Sequence, residues 1–189
     1  MLRVLIAVVV TTALGALILL APFPLQDVTR VRNSIDIAAP TEQVFEYVTT
    51  PSNWPRWHPS SRAVHGAVDH SLQVGERVTE DFTVAGREGQ VVWTVAERVP
   101  PSHWKITGQI DSRPAGTVQY DLAEAVVAPT KNGAAHGTTH FVREFDYGAP
   151  NLLFSVLNRW TLRERIESES AAAIQGLKRE LENSQAHGQ

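Results

Sequence analysis

"NSIDIAAPTEQVFEYVTTPSNWPRWHP", residues 33 to 59, changes its hydrophobic period partway along, and that change decides the fold. At its start Val31, Asn33, Ile35 and Ile37 alternate with Arg30, Arg32, Ser34 and Asp36. Period two predicts a half-buried strand over 30–38. After Ala39-Pro40 the period lengthens. Val44, Phe45 and Val48 form one apolar stripe of a short helix. Thr41 can cap it, or Pro40 can sit in its first turn. Pro51 stops it. "NWPRWHPSS" (53–61) then offers a second short helix, with Pro55 tolerated only in the first turn. Strand, short helix and short helix in immediate succession describe the opening of a mixed α+β domain.

Downstream the pattern is β throughout. Strands are expected at about 61–68, 76–85, 89–98, 102–111, 115–127 and 136–147. Turn chemistry separates them: Gly75, Gly86 with Gly89, Pro100-Pro101, Pro114 with Gly116, and Asn132-Gly133 within "PTKNGAAHG". Asn151 to Gln185 reads as one long helix, with Gly176 among its few breakers. One strand, two short helices, six strands and one long helix give a curved antiparallel sheet on a C-terminal helix. The helix can cover only part of that sheet, so a cavity between the two is expected.

The 189 residues suggest one domain plus extras. The composition, 43% hydrophobic and 20% charged, supplies a core. A net charge of -3 with scattered cations excludes a nucleic-acid footprint. The chain has no cysteine, which removes disulfides, thiolate metal sites and a cysteine nucleophile. Val4 to Ala21 carries no charge and as a helix spans about 27 Å, close to a hydrocarbon core of roughly 30 Å. It reads as an uncleaved single-pass anchor over 1–21. A signal peptide is the competing reading, although the run lacks an A-x-A cleavage pattern. Arg3 on one side and Arg30 and Arg32 on the other nearly balance. Export of the following domain to the extracytoplasmic side is the weaker expectation from that tie. A linker over 22–29 reaches at most about 28 Å and holds a domain at 30–185 close to the bilayer, with a disordered tail over 186–189.

With those elements placed, residues 33–59, "VGERV" (74–78), "GTTHFVREFDY" (137–147) and the terminal helix resemble the START-like, or SRPBCC, superfamily and within it the polyketide cyclase/dehydrase group. The resemblance covers about 30–185. It implies a helix-grip fold, a seven-stranded curved antiparallel sheet wrapped on a long C-terminal helix. Its members include lipid and sterol carriers, hormone-binding proteins, aromatic-ring cyclases and quinone-binding chaperones. It therefore implies an apolar small-molecule partner (lipid, isoprenoid, quinone or polyketide) without deciding between binding and catalysis. It carries over no catalytic motif.

The strand faces should line the interior with Trp93, Trp104, Tyr120 and Phe141 among other apolar residues. Asn33, Glu80 and Arg143 interrupt those faces. A buried charge costs several kcal/mol unless paired or solvated, so the three either pair or reach a wet cavity. The fold resembled sets the first and last strands side by side, bringing Asn33 near Arg143. An arginine fork there suits a carboxylate or phosphate; a structural Arg143–Glu80 pair, or a β-bulge, is the plainer reading. Trp57 and His58 are expected at the pocket mouth, or as a core plug. His58 could move a proton near neutral pH, but no orienting partner is visible. The other histidines lack metal-ligand spacing, and no cofactor motif is present. The ligand-binding candidates are therefore Asn33, Trp57, His58, Glu80, Trp93, Trp104, Tyr120, Phe141 and Arg143. Three functions stay open: a membrane-tethered carrier of a hydrophobic molecule, a cyclase or dehydratase, and an interaction module with a collapsed cavity.

Overall fold

The computed structural model describes residues 1–21, 28–125 and 137–186. Helix α1 (Leu2–Leu20) is followed by strand β1 (Val28–Ile37), then by α2 (Thr41–Thr49), a 3-10 turn (Pro51–Asn53) and α3 (Trp54–Trp57). Six strands follow: β2 (Ser61–Gly66), β3 (Arg77–Val84), β4 (Arg87–Val99), β5 (His103–Ile110), β6 (Arg113–Glu124) and β7 (Thr139–Gly148). The chain closes with α4 (Leu152–Leu157), a π-helical turn (Asn158–Leu162) and α5 (Arg163–Ala186). The strands form one antiparallel sheet in the order β1-β7-β6-β5-β4-β3-β2. The first strand thus lies beside the last, with Asn33 opposite Arg143.

Strand parity follows the hydrophobic alternation. Val31, Ile37, Val78, Val91, Val95, Trp104, Ile106, Val118, Leu122 and Phe141 are all buried on the inner face. The buried stripe of α5, from Ile166 through Ala173, Ile174 and Leu177 to Leu181, crosses that face. Gly176 permits the approach: a Cβ there would collide with the Trp57 carbonyl oxygen. A helix breaker by propensity is therefore the contact point between α5 and α3.

Turns depart from the sequence expectation in two places. The β3–β4 hairpin turns at Ala85-Gly86 and the β5–β6 hairpin at Asp111-Ser112, all four residues having positive φ. Such two-residue loops match the strand twist. Pro114, Gly89 and Gly116 lie inside strands instead. The Asn132-Gly133 turn and residues 22–27 of the expected 22–29 linker lie outside the described residues, while Val28 and Thr29 of that linker already belong to β1. The long C-terminal helix is also interrupted, because the π turn inserts a residue between α4 and α5.

Candidate functional site

Two hydrophobic clusters share the sheet's inner face. The larger holds Trp54, Trp57, Trp104, Tyr120 and Phe141 beneath α5; the smaller holds Val31, Tyr147 and Ile166, with Val84, Phe145 and Phe154 packed on it. Phe145 touches both. A band of polar side chains lies on the same face.

Arg143 is its centre. It is 6% exposed and projects from the middle of β7. Its Nη1 donates to Ser170 Oγ at 2.8 Å, and Ser170 donates onward to Asn33 Oδ1 at 2.6 Å. Its Nη2 meets His58 Nε2 at 3.1 Å. Its Nε is buried without a hydrogen-bond partner among the described residues. Its guanidinium carbon lies 5.6 Å from the Phe145 ring centre. Tyr120 is its neighbour across the β6–β7 ladder, and burial pushes the Tyr120 phenol up to about 12.

His58 receives Arg143 at the end of α3. A guanidinium is always a donor, so Nε2 must present its lone pair and the ring proton sits on Nδ1. Nδ1 also faces the Ser60 backbone N–H at 3.3 Å, and a protonated nitrogen cannot accept it. The ring cannot serve both contacts at once. Burial first, and the Arg143 charge second, hold the His58 imidazole well below its ordinary value. It is neutral at physiological pH.

Glu80 does not form an ion pair with Arg143. It accepts from Trp93 Nε1 at 2.6 Å. Burial pushes its carboxyl up, against the opposing pull of Ser61, Trp93 and Arg143. Two further buried donors, Trp57 Nε1 and Trp104 Nε1, lack partners among the described residues. Most buried polar atoms in native proteins are hydrogen-bonded. With Arg143 Nε and Arg98 Nε, four buried N–H groups lack partners among the described residues, three on strands and one on α3.

The candidate residues divide by depth. Trp104, Tyr120 and Phe141 pack on one another, with ring centres 5.3 Å and 5.2 Å apart. Trp57 meets Tyr120 edge-on at 6.3 Å and is buried, so it is core and not a rim. These rings fill the deep end of the space under α5. Toward α4 the inner face is more open, with Glu80, Phe82, Val84, Phe145 and Phe154 only half-buried. Rings lie flat there over glycines. A Cβ on Gly89 would meet Phe82 at 2.8 Å, and one on Gly108 would meet Trp93 at 2.6 Å. A separate shallow depression on the outer face, lined by Arg30, Lys105, Gln119 and Glu144, is polar and remote from this network.

Ser170 and Glu169 are missing from the sequence-derived set. Glu169 reads in the sequence as an i, i+4 partner of Arg165. In the structure it accepts from Ser60 Oγ at 2.9 Å and from the Ala85 N–H at 3.0 Å, clamping α5 onto two loops. Arg163–Glu167, expected by the same spacing, does form.

Residues 28–182 match the family described as polyketide cyclase / dehydrase and lipid transport. The chain is 33% identical over 75 residues to penitrem biosynthesis cluster 1 protein I of Penicillium ochrochloron, covering 39% of this chain and 49% of that protein. It thus matches about half the length of that relative. Among solved structures, a Thermus thermophilus protein superposes with a TM-score of 0.60 at 11% identity, over 82% of this chain and 99% of that one. The di-domain aromatase/cyclase BexL of the BE-7585A biosynthetic pathway gives 0.57 at 18% identity, covering 82% of this chain and 46% of BexL. A START superfamily protein from Mycobacterium smegmatis gives 0.51 at 13% identity, over 82% and 97% of the two chains. At these identities the likeness is one of fold.

Proposed function

Because the chain belongs to the polyketide cyclase/dehydrase and lipid transport family, we propose that it is a membrane-tethered carrier of a hydrophobic small molecule bearing at least one oxygen acceptor. The observation that carries this reading is Arg143, a buried cation whose Nε lacks a partner among the described residues. A fork-shaped donor that forms no ion pair with a carboxylate among the described residues suits an incoming carboxylate, enolate or ketone oxygen. Such an oxygen would draw Arg143 off His58. His58 Nδ1 would then be free to accept from Ser60, ending the conflict at that ring. The half-buried surface of Phe82, Phe145 and Phe154 offers the apolar body of the ligand its contact area. Trp93, Glu80 and Asn33 would flank the bound molecule, with Trp104, Tyr120 and Phe141 behind them. Helix α1 is long and apolar enough to cross a bilayer and would keep the domain beside a reservoir of such molecules. Native mass spectrometry of the full chain, released from its own membrane, should show a retained apolar acid or ketone. Ligand-free spectra from repeated gentle preparations would overturn the proposal.

The contact between His58 and Arg143 favours a second reading, cyclisation or dehydration. A neutral imidazole can take a proton while the guanidinium stabilises a developing enolate. Under this reading His58→Asn abolishes turnover of the ligand identified above while leaving it bound. Under the carrier reading the recovered ligand is chemically unchanged in both proteins.

A further inference from the structure

The polarity of α4 and its π turn is reversed for a helix in water. The inward side carries Phe154 and the buried Asn158, which accepts from Tyr147 Oη at 2.7 Å and donates to Thr29 Oγ1 at 2.9 Å. The outward side carries Leu153, Val156, Leu157 and Trp160, at i, i+3, i+4 and i+7, with Leu152 adjoining. Trp160 is 78% exposed and Val156 47%.

The π insertion produces this reversal. An α-helix advances about 100° per residue. In an unbroken helix Leu152 and Val156 would continue the buried stripe of Ile166, Ile174 and Leu177. One inserted residue offsets the two halves by about that angle. Asn158 is thereby turned toward β1 and β7, and Leu152 and Val156 are turned out to join Leu153, Leu157 and Trp160. Arg159 and Arg163 are exposed on the same segment.

We propose that this outward face of α4 and the π turn lies in the headgroup–acyl boundary of a bilayer, as a second membrane contact distinct from α1. What covers the face is indicated by its neighbour. Helix α1, with mean hydropathy 2.4 and no buried residue, touches α4. A bilayer that takes up α1 therefore reaches α4. An exposed tryptophan in an apolar row beside the exposed Arg159 suits that boundary, where tryptophan is enriched and anionic headgroups attract cations. Phe154 on the inward side packs beside Phe145 and Tyr147, so the open end of the inner face lies directly behind the docked helix.

The inference deepens the carrier reading by naming the surface through which a ligand would enter. The test separates it from the tether itself. The chain has no cysteine, so single probes can be placed in the full-length protein. W160C and V156C would each carry an environment-sensitive fluorophore, in vesicles of phosphatidylcholine and phosphatidylglycerol containing spin-labelled lipid. V10C reports on α1, and E42C, at the opposite end of the sheet, is the control. Loss of fluorescence at 160 and 156, with none at 42, is expected. Quenching at 10 without quenching at 160 and 156 would overturn the proposal and leave the tether standing. Quenching at 160 and 156 without quenching at 10 would uphold it and remove the tether.

Discussion

Arg143 holds a position that stability alone does not explain. Removing a cation from water costs several kcal/mol, and here neutral groups receive two of its nitrogens while the third is unmatched. Arg143→Met should leave the unfolding free energy unchanged or raise it by up to about 4 kcal/mol, as replacing buried ions by apolar side chains has done elsewhere. Ser170 keeps Asn33, and Glu80 keeps the indole of Trp93. The same variant should lose the retained ligand. Urea unfolding and native mass spectrometry on one preparation check both halves; a stability loss above about 3 kcal/mol would make Arg143 structural. His58 adds a pH dependence of known sign. Unfolded, it binds a proton near pH ~6.5; folded, it does so only at markedly lower pH. Between those two values the unfolded chain holds a proton that the folded one refuses, so stability falls as pH drops from about 6.5 toward the folded value, by at most about 1.4 kcal/mol per unit. Glu80, raised by burial, acts in the opposite direction above the ordinary carboxylate range. The difference between wild type and His58→Asn in urea midpoint against pH isolates the histidine contribution.

Within single elements, the backbone contacts that matter are sometimes opposite to propensity. Gly176→Ala should stabilise an isolated helix by about 1 kcal/mol. In α5 the added Cβ would press on the Trp57 carbonyl. The expected outcome is a net loss of roughly 1–3 kcal/mol, the usual cost of overpacking, seen as a lower Tm in calorimetry. A higher Tm would mean that the helix contact is loose. The same elements show what could be read from sequence. All seven strands and the order of helices follow from period-two alternation and the Pro-bounded helix starts, because both are local. The inward placement of Asn33, Glu80 and Arg143 follows from parity, and the pairing of Asn33 with Arg143 from the resemblance. The partners were not legible. Ser170 is a small residue on a helix far along the chain, with nothing in its neighbours to mark it. The sequence offered Glu80 an arginine, and the structure gives it the indole of Trp93 from the adjacent strand. The π turn was equally hidden, since a helical run without Gly or Pro carries no sign of one inserted residue. Its trace was the apolar surplus of "NLLFSVLNRW", which has more hydrophobic faces than one helix can bury.

On the scale of the whole molecule, α1 touches α4, Phe154 of α4 packs in the cluster with Phe145, and Phe145 lies under Arg143. The sequence joins α1 to β1 by seven residues, Ala21 to Asp27, which span at most about 25 Å. The site is therefore held near the membrane surface if α1 is embedded. That closeness should act on rate and not on affinity, since a tether changes how often the site meets the bilayer and leaves the contacts inside it alone. A Gly/Ser insert of about 16 residues between Ala21 and Val28 adds a flexible reach of roughly 22 Å. Its expected effect is slower loading of an oxygen-bearing apolar probe, such as a fluorescent fatty acid, from vesicles into the full-length protein. Final occupancy should match wild type, because the inner face is unaltered. Stopped-flow fluorescence gives both quantities in one trace. Equal loading rates with and without the insert would mean that the ligand arrives through water, and the tether would then need another purpose.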